Sequence, residues 1–108
     1  MTGKIEKEYF YTISGGKIIE KLIEDDHVAI NHIILSKGDS IPEHYANSNV
    51  YLIITKGTME LRLGKQQPCA YSQGSILAIP YNNKMNGQNN DEDVLEFFVV
   101  KAPSPKKY

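Results

Sequence analysis

Few side chains in this sequence can do acid–base or ligand chemistry near neutral pH: three histidines, at 27, 32 and 44, and one cysteine, at 69. An imidazole changes charge close to physiological pH, so each histidine is a candidate acid, base or hydrogen-bonding contact. His44 stands in Gly38-Asp39-Ser40-Ile41-Pro42-Glu43-His44-Tyr45-Ala46, a stretch punctuated by glycine and proline. His32 follows Asn31 inside an isoleucine-rich run, where strand alternation sends the two side chains to opposite faces. The sequence leaves open which of them faces inward. His27 falls in the polar break Glu24-Asp25-Asp26-His27 and is expected in solvent. Acid–base catalysis requires an acid and a base across a substrate. Tyr45, Tyr71 and His32 are the candidates to stand opposite His44. Cys69 has no second cysteine for a disulfide or a CxxC motif and no histidine at a diagnostic spacing, which leaves it without a catalytic role.

The elements that must position these groups read as short strands. Residues 17–23 and 28–35 are rich in isoleucine and flank the polar break at 24–27, which predicts a hairpin. Residues 50–55 form an apolar, β-branched run closed by Lys56-Gly57. Thr58 to Leu63 alternates, with Met59, Leu61 and Leu63 on one face and Thr58, Glu60 and Arg62 on the other, as in a strand with one buried side. Cys69–Ser72 is a weaker strand, and Ser75–Ile79 ends at Pro80. Residues 81–93 are almost entirely polar and read as a loop. Val94–Val100 is the last strand. Pro103 and Pro105 break any ladder beyond it, so 104–108 reads as a flexible tail. Eight or nine short strands at roughly 8–12-residue spacing, with no helical periodicity, predict an all-β sandwich or barrel.

Composition narrows the function classes. A chain of 108 residues suits one domain spanning 1–108, with a core over about 17–103. With 12 basic and 13 acidic side chains the net charge is -1, which gives no electrostatic reason to expect nucleic acid as a partner. No apolar run approaches the ~18 residues of a membrane-spanning helix. Residues 1–6 lack the apolar stretch of a signal peptide. A soluble, cytoplasmic protein is the expectation.

Two segments carry a family pattern. Gly38 to Gly57 resembles the first cupin motif, G-x5-H-x-H-x3-4-E-x6-G, and Gly74 to Asn89 resembles the second, G-x5-P-x-G-x2-H-x3-N. Gly38, Gly57, Gly74, Pro80, His44 and Asn89 fall in register. With the leading strand and the Lys101-Ala102-Pro103 ending, the resemblance covers residues 17–103. It implies a small jelly-roll β-barrel of short antiparallel strands. In metal-bearing cupins two histidines and a glutamate of the first motif meet a histidine of the second inside the barrel. The matching positions here are His44, Ala46, Val50 and Met85. A transition ion needs three or four N, O or S donors at about 2.0–2.3 Å. Alanine and valine supply none, and a thioether is weak and soft. The resemblance therefore implies the fold without a metal or other cofactor.

The expected ligand site is an apolar pocket formed by His44, Ala46, Val50, Leu52 and Met85, with His32 as the candidate second imidazole. Asn82, Lys84 and Asn89 fall near the barrel mouth in relatives, where Lys84 can meet an anionic ligand. Tyr51 and Ile53 make both faces of the 50–54 run apolar. That favours a homodimer through this face, or a cover by Tyr9-Phe10-Tyr11. The leading function is binding of a small organic molecule, as a sensor or accessory protein. A metal-independent isomerase or epimerase of a sugar-like substrate is the alternative. A metalloenzyme borrowing ligands from His32, Glu43 or Asn49 ranks last.

Overall fold

Apolar side chains at alternate positions give the longer segments one greasy face, and the structure buries those faces against each other. The computed structural model describes residues 3–13, 16–90 and 93–105, and none of these is helical. Nine strands follow in order: β1 Ile18–Glu24, β2 Ala29–Ser36, β3 His44–Tyr45, β4 Val50–Lys56, β5 Thr58–Leu63, β6 Cys69–Ser72, β7 Ile76–Ile79, β8 Lys84–Gln88 and β9 Val94–Lys101. They form two antiparallel sheets, β1-β2-β9-β4-β7 and β3-β8-β5-β6. The two sheets enclose one core, in which Phe97, Leu35, Leu52, Met59 and Leu95 are fully buried.

Turn chemistry sets the register that aims side chains inward. The Asp25 carboxylate accepts the backbone N–H groups of His27 (2.9 Å) and Val28 (3.0 Å), closing the β1–β2 hairpin and leaving His27 exposed. These two donors hold the Asp25 carboxyl below its ordinary pKa. Gly57, between β4 and β5, has φ +80°, and a Cβ there would meet the Val94 carbonyl oxygen at 2.3 Å. Only glycine fits both the conformation and the close approach.

Two expectations need correction. The polar run 81–93 contains a strand, β8, paired with both β5 and β3. Its buried face is only Met85 and Gly87, lying opposite Leu63 and Leu61, while Lys84, Asn86 and Gln88 take the other face. Pairing with two neighbours, not β-propensity, makes this segment a strand. Asn89 is buried away from any mouth: its side-chain amide donates to the Leu35 carbonyl at 3.0 Å, and its backbone groups bond Gly38 and Asp39. Of the segment read as a tail, 104–108, Ser104 and Pro105 are half-buried, and the Ser48 hydroxyl donates to the carbonyl of the preceding Pro103. Residues 106–108 lie outside the described residues.

Candidate functional site

Strand alternation carries the inward rows of both sheets to one space. On β4, Val50 and Leu52 point inward and are 2% and 1% exposed. Across the cavity β3 and β8 set His44 opposite Met85. Ala46 follows β3, held by its N–H on the Asn83 carbonyl and by the Asn82 N–H on its own carbonyl, each at 2.8 Å. Together with Asn31, Ile33, Met59, Val99 and Lys101 these residues line a cavity of about 260 Å3. Its floor is apolar and its polar groups are few. The structure thus brings His44, Ala46, Val50, Leu52 and Met85 together. A second depression, of about 570 Å3, lies between Tyr45, Asn47, Tyr81 and Pro103. It is more open, and we place the site in the smaller, deeper cavity, where buried apolar area and convergent polar groups coincide.

His32 is not part of this site. Asn31 takes the inward phase of β2, and His32 takes the outer face, where it is fully buried. Its Nδ1 lies 2.7 Å from Glu20 Oε2 and its Nε2 lies 2.8 Å from Glu96 Oε2. Phe98 and Tyr11 pack on the ring at centroid distances of 4.7 and 4.9 Å. The Glu20 carboxyl is held below its ordinary pKa, chiefly by the Thr12 backbone N–H and then by His32. Burial raises the pKa of Glu96, but hydrogen bonds from Thr55 and His32 outweigh it, and the net direction is down. Each ring nitrogen thus faces a carboxylate oxygen at hydrogen-bond distance. The candidate second imidazole is instead a structural clamp beneath the N-terminal segment.

His44 stands exposed at the cavity rim, with Nδ1 2.9 Å from the Pro42 carbonyl. A carbonyl can only accept, so Nδ1 carries the proton and Nε2 is left for a bound molecule. Lys84 is engaged by Glu43 at 3.2 Å rather than facing the cavity. Tyr45 points away from the cavity, 60% exposed, and Tyr71 packs beside the core on β6. Neither lines the cavity opposite His44.

Lys101 is the site residue the sequence reading missed. Leu95, Phe97 and Val99 are buried, so the same phase sends Lys101 inward at the end of β9. Burial, and then the neighbouring Lys21, push its ammonium pKa down, against a smaller opposing effect of Glu24. Among the described residues no carboxylate lies within ion-pair distance of it. The signal was the alternation itself, extended one step past the last apolar residue.

The donor set does not fit a transition ion. Among the described residues no three His, Cys, Asp or Glu side chains cluster. His44 is the cavity's one imidazole, beside Ala46, Val50 and Met85. The candidate substitutes do not converge on it: His32 faces outward, Glu43 pairs with Lys84, and Asn49 accepts the Tyr81 N–H at 3.2 Å.

Comparison with known proteins agrees with this architecture. No family model matches the chain. An uncharacterized protein of Methanocaldococcus jannaschii is 53% identical over 104 residues, covering 95% of this chain and 90% of the relative. The crystal structure of an RmlC-like cupin family protein with a double-stranded β-helix fold, also from M. jannaschii, superposes with a TM-score of 0.93 at 51% identity over 95% of each chain. A cupin superfamily protein of Desulfitobacterium hafniense shares the fold at 13% identity, with a TM-score of 0.72 over 86% of this chain and 83% of its own. The chain belongs to the cupin family, as a small jelly-roll barrel.

Proposed function

We propose that this protein is a metal-independent cupin that binds a small organic molecule in its barrel, as a sensor or accessory protein in the cytoplasm. The observation that carries the reading is the cavity of about 260 Å3 at the position where relatives gather metal ligands. Here apolar walls and a thin polar rim replace the donors. Such a surface contributes affinity by desolvation and leaves a few polar groups to fix orientation. An isomerase draws less support, because the titratable groups lining the cavity are His44 and Lys101 and no tyrosine faces them.

The test is to fill the space. Ala46→Phe places a ring where a methyl lines the cavity, and a panel of small organic molecules is screened against native and variant protein by thermal shift. Stabilisation of the native protein by a panel member, lost in a variant that keeps the native circular dichroism, supports the reading. Equal stabilisation of both proteins would place binding elsewhere.

A further inference from the structure

We propose that the molecule held in this cavity is a small organic anion, a monocarboxylate with an apolar body, whose carboxylate is received by Lys101. The inference rests on the binding reading above and names the ligand class for the same site.

Lys101 is set inward by the register of β9, where it lies opposite Ala29 of β2 and Val50 of β4. A half-buried ammonium with no carboxylate in ion-pair distance among the described residues is a costly arrangement, made worse by a second cation, Lys21, nearby. Of the nearby acids, Glu24 offsets this only in part, from beyond ion-pair distance, while Glu43 is engaged with Lys84, and Glu20 and Glu96 with His32. A ligand carboxylate would supply the missing charge and accept a charge-assisted hydrogen bond. Asn31, on the neighbouring strand and on the same inward face, offers an amide donor to the second carboxylate oxygen.

The rest of the cavity selects the body of the molecule. Ile33, Val50, Leu52, Met59 and Val99 present no hydrogen-bonding side-chain atoms. A hydroxyl-rich sugar would leave its polar groups unsatisfied there, whereas a ring or short alkyl chain would not. At ~30 Å3 per water, a volume of 260 Å3 holds roughly nine waters, so the guest is the size of benzoate or hexanoate rather than a nucleotide.

Benzoate and hexanoate are titrated against benzamide and 1-hexanol, with native protein, Lys101→Met and Ala46→Phe, by calorimetry at pH 7 and low salt. Native protein is expected to prefer each acid over its neutral partner by about tenfold or more. Lys101→Met should bring acid and neutral partner within about twofold while still binding the neutral compounds, and Ala46→Phe should bind neither. An equal preference in native protein, or an acid preference that survives Lys101→Met, overturns the anion assignment and leaves the cavity as a binding site. Absence of binding by all four compounds to native protein overturns the anion assignment together with the size and polarity argued for the guest. Retained binding in a folded Ala46→Phe variant overturns the site itself.

Discussion

His32 and Glu96 meet at 2.8 Å across the neighbouring strands β2 and β9, on the face of the sheet away from the cavity. Glu20 of β1 holds the other ring nitrogen at 2.7 Å, and Tyr11 and Phe98 close over the ring. The Thr12 backbone N–H and hydroxyl reach the same Glu20 carboxylate at 2.8 and 3.0 Å, so one buried imidazole ties three strands and the N-terminal segment together. Replacing it by leucine leaves two carboxylates facing an apolar side chain. We expect His32→Leu to lower unfolding stability by about 2 kcal/mol, measured in urea, because charged hydrogen-bonding groups lose their partner. A change below about 0.5 kcal/mol would show that the clamp does not hold the fold together.

The same cluster dictates the acid limb of stability. Glu20 and Glu96 both have native pKa values below the ordinary 4.5, so the native state favours the ionised form more than the unfolded chain does. Their contribution is complete above 4.5 and is lost as pH falls through the lower native values. The urea midpoint should therefore fall on acidification below about pH 5, and less steeply in Glu96→Gln. An unchanged slope in that variant would assign the acid limb to other carboxylates, Asp25 first among them.

How far the sequence could be read follows from where alternation survives. In β5 the order of Met59, Leu61 and Leu63 against Thr58, Glu60 and Arg62 needs no structure to assign faces, and Met59 and Leu61 are indeed buried. In β2 both faces are covered, one by the core and one by Tyr11 with the glutamates, so Ile30, Ile33, Ile34 and Leu35 blur the period that would have separated Asn31 from His32. β8 is hidden for the opposite reason: its buried side is a methionine and a glycine, too little apolar surface to mark a period among polar neighbours. The apolar wall at Ala46, Val50 and Met85 was legible through the motif spacing. The cation that completes it was not, because Lys101 sits in the motif's ending where no side chain carries a role.

A homodimer is expected through the outer face of β4, β7 and β9. Tyr51 and Ile76 are 40% and 67% exposed there, and register puts Ile53, Ala78 and Val100 on the same face. The patch is apolar and almost free of charge across three adjacent strands, which suits a second copy of the same surface better than a charged partner. Phe10, 78% exposed on the N-terminal segment, is available to cross to that copy. Sedimentation at micromolar concentration should give twice the 12.2 kDa chain mass, and Ile76→Lys should reduce it to the monomer. A native monomer at that concentration would refute the interface.

The metal expectation turns on positions the structure now brings together. Ala46, Val50 and Met85 all line the cavity beside His44, and Met85 is the direct cross-strand partner of His44. The native chain should purify without a stoichiometric transition ion, because two of these positions donate nothing and the third is a weak thioether. Changing Ala46→His, Val50→Glu and Met85→His together should create four donors around one point, with His44 contributing the nitrogen not bonded to Pro42. The variant should bind Ni, Zn or Mn ions and gain about 2.7 kcal/mol of stability at a free ion concentration 100 times Kd. Without metal it should be less stable than the native protein, since a carboxylate then replaces a methyl pair at a position 2% exposed. Two measurements decide the matter: elemental analysis of the native protein, and the metal dependence of the variant's melting temperature. One tightly held ion per native chain would mean that other residues rebuild the site. A variant that folds yet ignores metal would mean that the inward phases of β3, β4 and β8 do not converge as closely as their shared cavity implies.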